Sequence, residues 1–180
     1  MFVEKNWLKT KHSKQYNRKV WHNISTEKGG YIVARMLIDY HTADRGCFSF
    51  LINKSNAFQV TAMLADGDHD SRDIYQILER QNLNAFIPPP SRVIIYHEID
   101  SLKRYKAVKY IKEKGYWAWY YKNNFGRTNK VENTFYCLKT ILERKLNPRI
   151  LSNQNTESHL LCCMHNKITK IAMPKFVKAC

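Results

Sequence analysis

The chain is 180 residues long, 44% hydrophobic, and carries 30 Lys and Arg against 15 Asp and Glu, a net charge of +15. Such a length and apolar share suit one domain, 1–180, with a core of its own, and so large a positive excess calls for a polyanion, nucleic acid or an acidic membrane surface. No apolar run approaches the roughly 18 residues that span a bilayer, Met1 to Lys19 lacks the apolar core of a signal peptide, and five scattered cysteines suit free thiols in a reducing cytoplasm.

In chain order, residues 1–19 read as a basic, polar lead-in without clear periodicity. A short strand over 20–25 leads through Glu27-Lys28-Gly29-Gly30 into a second over 31–38, because a Gly-Gly pair between apolar stretches is a hairpin signal. The second strand has few polar residues and is expected to be buried on both faces. Phe48–Ile52 fits strand or helix equally. Val60–Ala65 reads as a buried strand ending at Asp66, and Asp70-Ser71-Arg72-Asp73 resembles a capping box opening a helix over 71–82. A brief strand, 85–87, ends at Pro88-Pro89-Pro90. This strand–helix–strand order predicts a parallel pair.

Residues 102–114 are expected to be helical with their basic side chains exposed. A helix over 128–145 carries Val131, Phe135, Leu138 and Leu142 as an apolar stripe and stops at Asn147-Pro148. A last helix, 153–172, carries Leu160, Leu161, Met164, Ile168 and Ile171. A hairpin, a βαβ unit and then helices predict an α/β layout around a mixed sheet.

Charge is unevenly placed. Residues 61–100 hold seven acids and three bases, whereas 101–150 hold thirteen Lys or Arg and three acids. The basic pole contains Tyr116-Trp117-Ala118-Trp119-Tyr120-Tyr121, and aromatics among cations can stack on bases while the cations hold phosphates. Ordinary core packing explains the same aromatics equally well. Glu132 and Lys139 are seven residues apart, almost two helical turns, so they share one helix face with Tyr136 between them. A carboxylate at a strand end, a helical Glu and a Lys point to a divalent metal acting on a nucleic-acid phosphate, since hard cations prefer oxygen ligands. The bland alternatives are a turn residue at Asp66, a helix N-cap at Asp70, a surface His69 and a solvated face at Glu132. Cys162-Cys163-x-His165 lacks the spacing of a zinc site.

These residues resemble the DDE transposases of the bacterial insertion-sequence four/five group, over about Trp7 to Pro174. The similar segments are Leu64-Ala65-Asp66-Gly67 with Asp70-Ser71-Arg72, then Phe86-Ile87-Pro88-Pro89, then Asn155-Thr156-Glu157 with Asn166-Lys167 and Met173-Pro174. The family signature Y-x2-R-x3-E-x6-K finds its last two places in Glu132 and Lys139. The resemblance implies a ribonuclease-H-like mixed sheet with flanking helices, and three carboxylates holding two Mg²⁺ or Mn²⁺ ions. By that analogy Asp66 is the second acid and metal ligand, Glu132 the third, and Lys139, with Arg127 and Lys130, holds double-stranded transposon-end DNA. The partners implied are that DNA and a second or an intact transposase, in a bacterial cytoplasm at the nucleoid and not at a membrane.

The departures point to an inactive copy. The family's first catalytic Asp precedes a segment similar to Val3-Glu4-Lys5-Asn6-Trp7, so the first strand and its Asp are expected to be missing here. Phe125 stands where the signature has Tyr, Thr128 stands where it has Arg, and Arg127 is one place away, about 100° round a helix. Asp39 and Asp44 are the acids nearest to replacing the missing ligand. The alternative function is a non-catalytic basic remnant that contacts transposon ends or an intact transposase.

Overall fold

The computed structural model describes residues 2–10, 19–39, 45–93, 101–128, 134, 136–138, 140, 145–148 and 150–172. Its centre is a mixed sheet flanked by helices. Strands β1 (Phe2–Thr10), β2 (Lys19–Ser25), β3 (Ile32–Asp39), β4 (Ala62–Ala65) and β5 (Asn84–Phe86) lie in the order β3-β2-β1-β4-β5. A two-residue strand, β6 (Lys145–Leu146), pairs with the end of β1. The helices are α1 (Arg45–Ser55), α2 (Arg72–Arg80), α3 (Leu102–Lys114), α4 (Tyr116–Lys122) and α5 (Leu151–Ala172). Thr134, Tyr136, Cys137, Leu138 and Thr140 are also helical.

Local chemistry explains most of these elements. Gly29 and Gly30, at φ +86° and +65°, turn β2 into β3 as an antiparallel hairpin in which Trp21 faces Leu37 across the ladder. Gly30 has a second constraint, because a β-carbon there would lie 2.8 Å from Thr134 Oγ1. The Ser71 hydroxyl caps α2 by accepting from Ile74 N–H, and Ser101 does the same for α3 at Arg104 N–H. Ser71, not Asp70, is therefore the cap. The expected strand or helix at Phe48–Ile52 is helix, with Phe48, Leu51 and Ile52 all buried.

The expected loss of the first strand is not what the sheet shows. Phe2–Thr10, within the stretch read as a lead-in, fills the central place. It runs antiparallel to β2, with Glu4 opposite Asn23, and parallel to β4, with Phe2 opposite Leu64 and Val3 opposite Ala65. Composition hid it, because a central strand is defined by the ladders on both sides rather than by an apolar run. The parallel β4–β5 pair matches the expected βαβ unit.

Two apolar layers close the sheet. On one side Ile24, Ala34, Met63 and Ala65 pack with Phe48, Leu51 and Ile52 of α1 and with Tyr75 and Leu78 of α2. On the other, Trp21, Ile32 and Leu37 meet Leu138, Leu146 and Cys162, while Leu64 meets Trp119 and Phe125. β2 is buried along its whole length, and β3 mixes buried and half-buried positions.

The last helix differs from its expected packing. Its buried side chains are Gln154, Ser158, Cys162 and His165, whereas Leu160, Met164 and Ile171 are exposed. The reason lies in β3, which ends the strand order and has backbone groups to satisfy. Asn166 accepts from Ile32 N–H at 2.9 Å and donates to Ile32 C=O at 2.9 Å, as a neighbouring strand would. Arg35 donates to Ser158 Oγ at 2.6 Å. Polar residues therefore face the sheet edge.

Candidate functional site

Asp66 lies at the C-terminal end of β4, where the chain leaves the sheet into a 3₁₀ turn, Gly67–His69. Its carboxylate is more than half exposed, and Oδ1 is 2.6 Å from His69 Nδ1. His69 is buried, with its ring 6.1 Å from that of Phe48. This corrects the expectation of a surface histidine. The 3₁₀ turn folds the ring back beneath Asp66, where it holds one carboxylate oxygen.

Asp70 closes the same turn. It is buried in a bidentate pair with Arg104 of α3, Nε to Oδ1 at 2.9 Å and Nη2 to Oδ2 at 2.7 Å. Arg104 is thus a correction to the expectation that the basic side chains of this helix are exposed. The acids of Asp66–Asp70 therefore have different settings: Asp66 exposed at the strand end, Asp68 exposed on the turn, and Asp70 turned inward.

The β1–β4 ladder ends with Val3 opposite Ala65, so Glu4 follows the last paired residue of β1 as Asp66 follows that of β4. Glu4 is not among the acids that the sequence singles out, because the residues around it read as a lead-in. Asp39, one of the two acids expected as a replacement, ends β3, two strands from β1, and is bonded to Lys19 Nζ. Asp44 lies outside the described residues.

Arg127 sits in the 3₁₀ turn Phe125–Thr128. Its guanidinium is 3.2 Å from Glu27 in the hairpin turn and 5.6 Å from the centre of the Phe86 ring. The guanidinium fork is thus directed at protein partners in this state. Glu132, Lys130 and Lys139 lie outside the described residues. Of the described residues within the expected 128–145 helix, Tyr136 is exposed and Leu138 buried. The aromatic run divides: Trp119 is buried against Phe125, while Trp117 and Tyr121 are exposed.

Among the described residues, no three His, Cys, Asp or Glu side chains are grouped to hold a metal ion. Asp66 offers oxygen chemistry suited to Mg²⁺, but Asp70 is committed to Arg104. The described side chains therefore do not by themselves fit a two-metal centre. No helix among them is long and apolar enough to cross a membrane. No protein-family model matches the chain.

Proposed function

We propose that this chain is the catalytic domain of a DDE-type DNA transposase by descent, that it binds duplex DNA, and that this copy does not cut it. One observation carries the reading. An antiparallel three-strand meander is extended on its first strand by two parallel strands, and Asp66 ends the strand beside the centre. A mixed sheet with flanking helices supports the ribonuclease-H-like reading. The net charge of +15 supports a polyanion partner. In this reading Asp66 and Glu132 would be the oxygen ligands for Mg²⁺ or Mn²⁺, a set too small to hold both ions that phosphoryl transfer needs. Lys139, Lys130 and Arg127 hold the DNA backbone. Arg127 must release Glu27 to do so.

Absence of an Asp on the central strand is the reason for expecting no cleavage. The test incubates the purified chain with Mg²⁺ or Mn²⁺ and labelled duplexes that include the DNA segments flanking its gene. Retarded mobility without strand breaks is the expected result. Failure to bind DNA at low salt overturns the reading as a whole. Metal-dependent cleavage that Asp66→Ala abolishes overturns the inactive part and makes Glu4, the acid of the central strand, the residue to replace next.

A further inference from the structure

A cleft of about 460 Å³ opens beside β5, away from the hairpin, between that strand and helices α3 and α4. Its walls carry Lys103, Lys106 and Lys109 of α3 and Lys122 of α4, with Glu113 as the acid among them. β5 ends the strand order, so the floor of the cleft is a sheet edge. The four lysines are not equivalent. Lys103 donates to Leu83 C=O at 2.7 Å, and Lys122 lies 4.3 Å above the Tyr110 ring, so both help hold the walls together. Lys109 is exposed and only 3.9 Å from an equally exposed Glu113, a pair too loose to neutralise it. Lys106 is exposed and has no ion pair among the described residues.

Lys106 and Lys109 are three residues apart on one helix, which puts their β-carbons about 5–6 Å apart on one face. Two flexible lysine side chains so placed can each reach a phosphate of one strand, which Lys contacts as a point charge without needing a fork. The cleft also has a direction. Phe86, in its wall, pairs with Leu64, two residues before Asp66, and the Arg127 guanidinium lies over the Phe86 ring. The β5 side of the cleft therefore ends at the same end of the sheet as Asp66.

We propose that the α3–α4 cleft is a second DNA-binding surface, which grips the sugar–phosphate backbone through Lys106 and Lys109 and leads the strand toward the Asp66 end of the sheet. It rests on the transposase reading only in taking DNA as the polyanion. Lys106 and Lys109 are not among the residues to which that reading gives a role (Asp66, Arg127, Lys130, Glu132 and Lys139), so the two sets can be substituted separately.

The test measures binding of a fluorescein-labelled duplex by anisotropy between about 50 and 200 mM salt. It compares the natural chain, Lys106→Gln/Lys109→Gln, and Lys130→Gln/Lys139→Gln. Thermal melting confirms that each variant is folded; Lys103 and Lys122, which support the walls, are untouched. The expected result is weaker binding by Lys106→Gln/Lys109→Gln and a log–log salt slope flatter by roughly two units, one for each phosphate that is no longer held. An unchanged slope and affinity in that variant, while Lys130→Gln/Lys139→Gln is impaired, overturns the second surface and leaves the transposase reading standing. Absence of binding by the natural chain overturns both. Equal competition by polyglutamate, absent in Lys106→Gln/Lys109→Gln, overturns DNA as the occupant and assigns the cleft to an acidic peptide.

Discussion

Removing Arg104 strips the partner from a carboxylate that has no route to water. The Asp70 side chain is 1% exposed and that of Arg104 9%, with two charge-assisted hydrogen bonds between them. Breaking a buried pair from one side costs about 3–5 kcal/mol, out of a total of about 5–15 for a domain. Arg104→Met should lie at the upper end, because Asp70 is short and enclosed. Asp70→Ala should lie at the lower end, because the longer arginine can swing its charge toward solvent. At roughly 2–4 °C per kcal/mol for a chain of this size, Arg104→Met should lower Tm by about 10–20 °C. Asp70→Leu/Arg104→Met, which removes both charges, should regain most of that stability. Urea unfolding with matched m-values measures all three. A single Arg104→Met variant within about 0.5 kcal/mol of the natural chain, or a double variant as unstable as the sum of the two, would refute the reasoning.

Two further outcomes follow from buried polar groups. Asn23 is wholly buried and neither its Nδ2 nor its Oδ1 has a hydrogen-bond partner among the described residues, so Asn23→Leu should raise stability by about 1–3 kcal/mol, and a destabilised variant in urea unfolding would show that the amide has a role. His165 is buried and its pKa is held below the usual 6.5, mainly by loss of hydration and against a smaller upward pull from Asn166. The unfolded chain then binds the proton more readily, so stability is full above about pH 6.5 and falls as pH drops toward the lowered folded value. His165→Gln should flatten that part of the Tm–pH curve, and an unaltered curve would count against His165 as its source.

Much of the fold is legible wherever a local signal exists. The Gly29-Gly30 hairpin, the Ser71 cap and the apolar spacing of Ile74, Ile77 and Leu78 place β2, β3 and α2 to within two residues. The helix expected over 102–114 is Leu102–Lys114. What stays illegible depends on partners distant in sequence. β1 is specified by ladders to residues 19–25 and 64–65, which no window of the sequence contains. The burial of Arg104 requires Asp70, 34 residues earlier. The polar face of α5 is turned inward by the backbone groups at the outer edge of β3, contrary to the rule that apolar side chains mark the buried face. At the site, Asp66 can be read from a strand end, whereas its bond with a buried His69 requires the geometry of the turn.

The central place of β1 has a consequence for the order in which the chain folds. The β2–β3 hairpin and the β4–α2–β5 unit each close over short stretches of chain and can nucleate on their own. Joining them requires Phe2 and Val3 to find Leu64 and Ala65, 62 residues away. Closing a loop that long, against one of about seven residues, costs roughly 2 kcal/mol more in chain entropy, at about 0.6 for each doubling. The two halves therefore form early and the seam between β1 and β4 late, as contact order dictates. Until that seam closes, β4 presents an unpaired parallel edge, and the strand that bears Asp66 is the surface on which a misfolded pairing would begin.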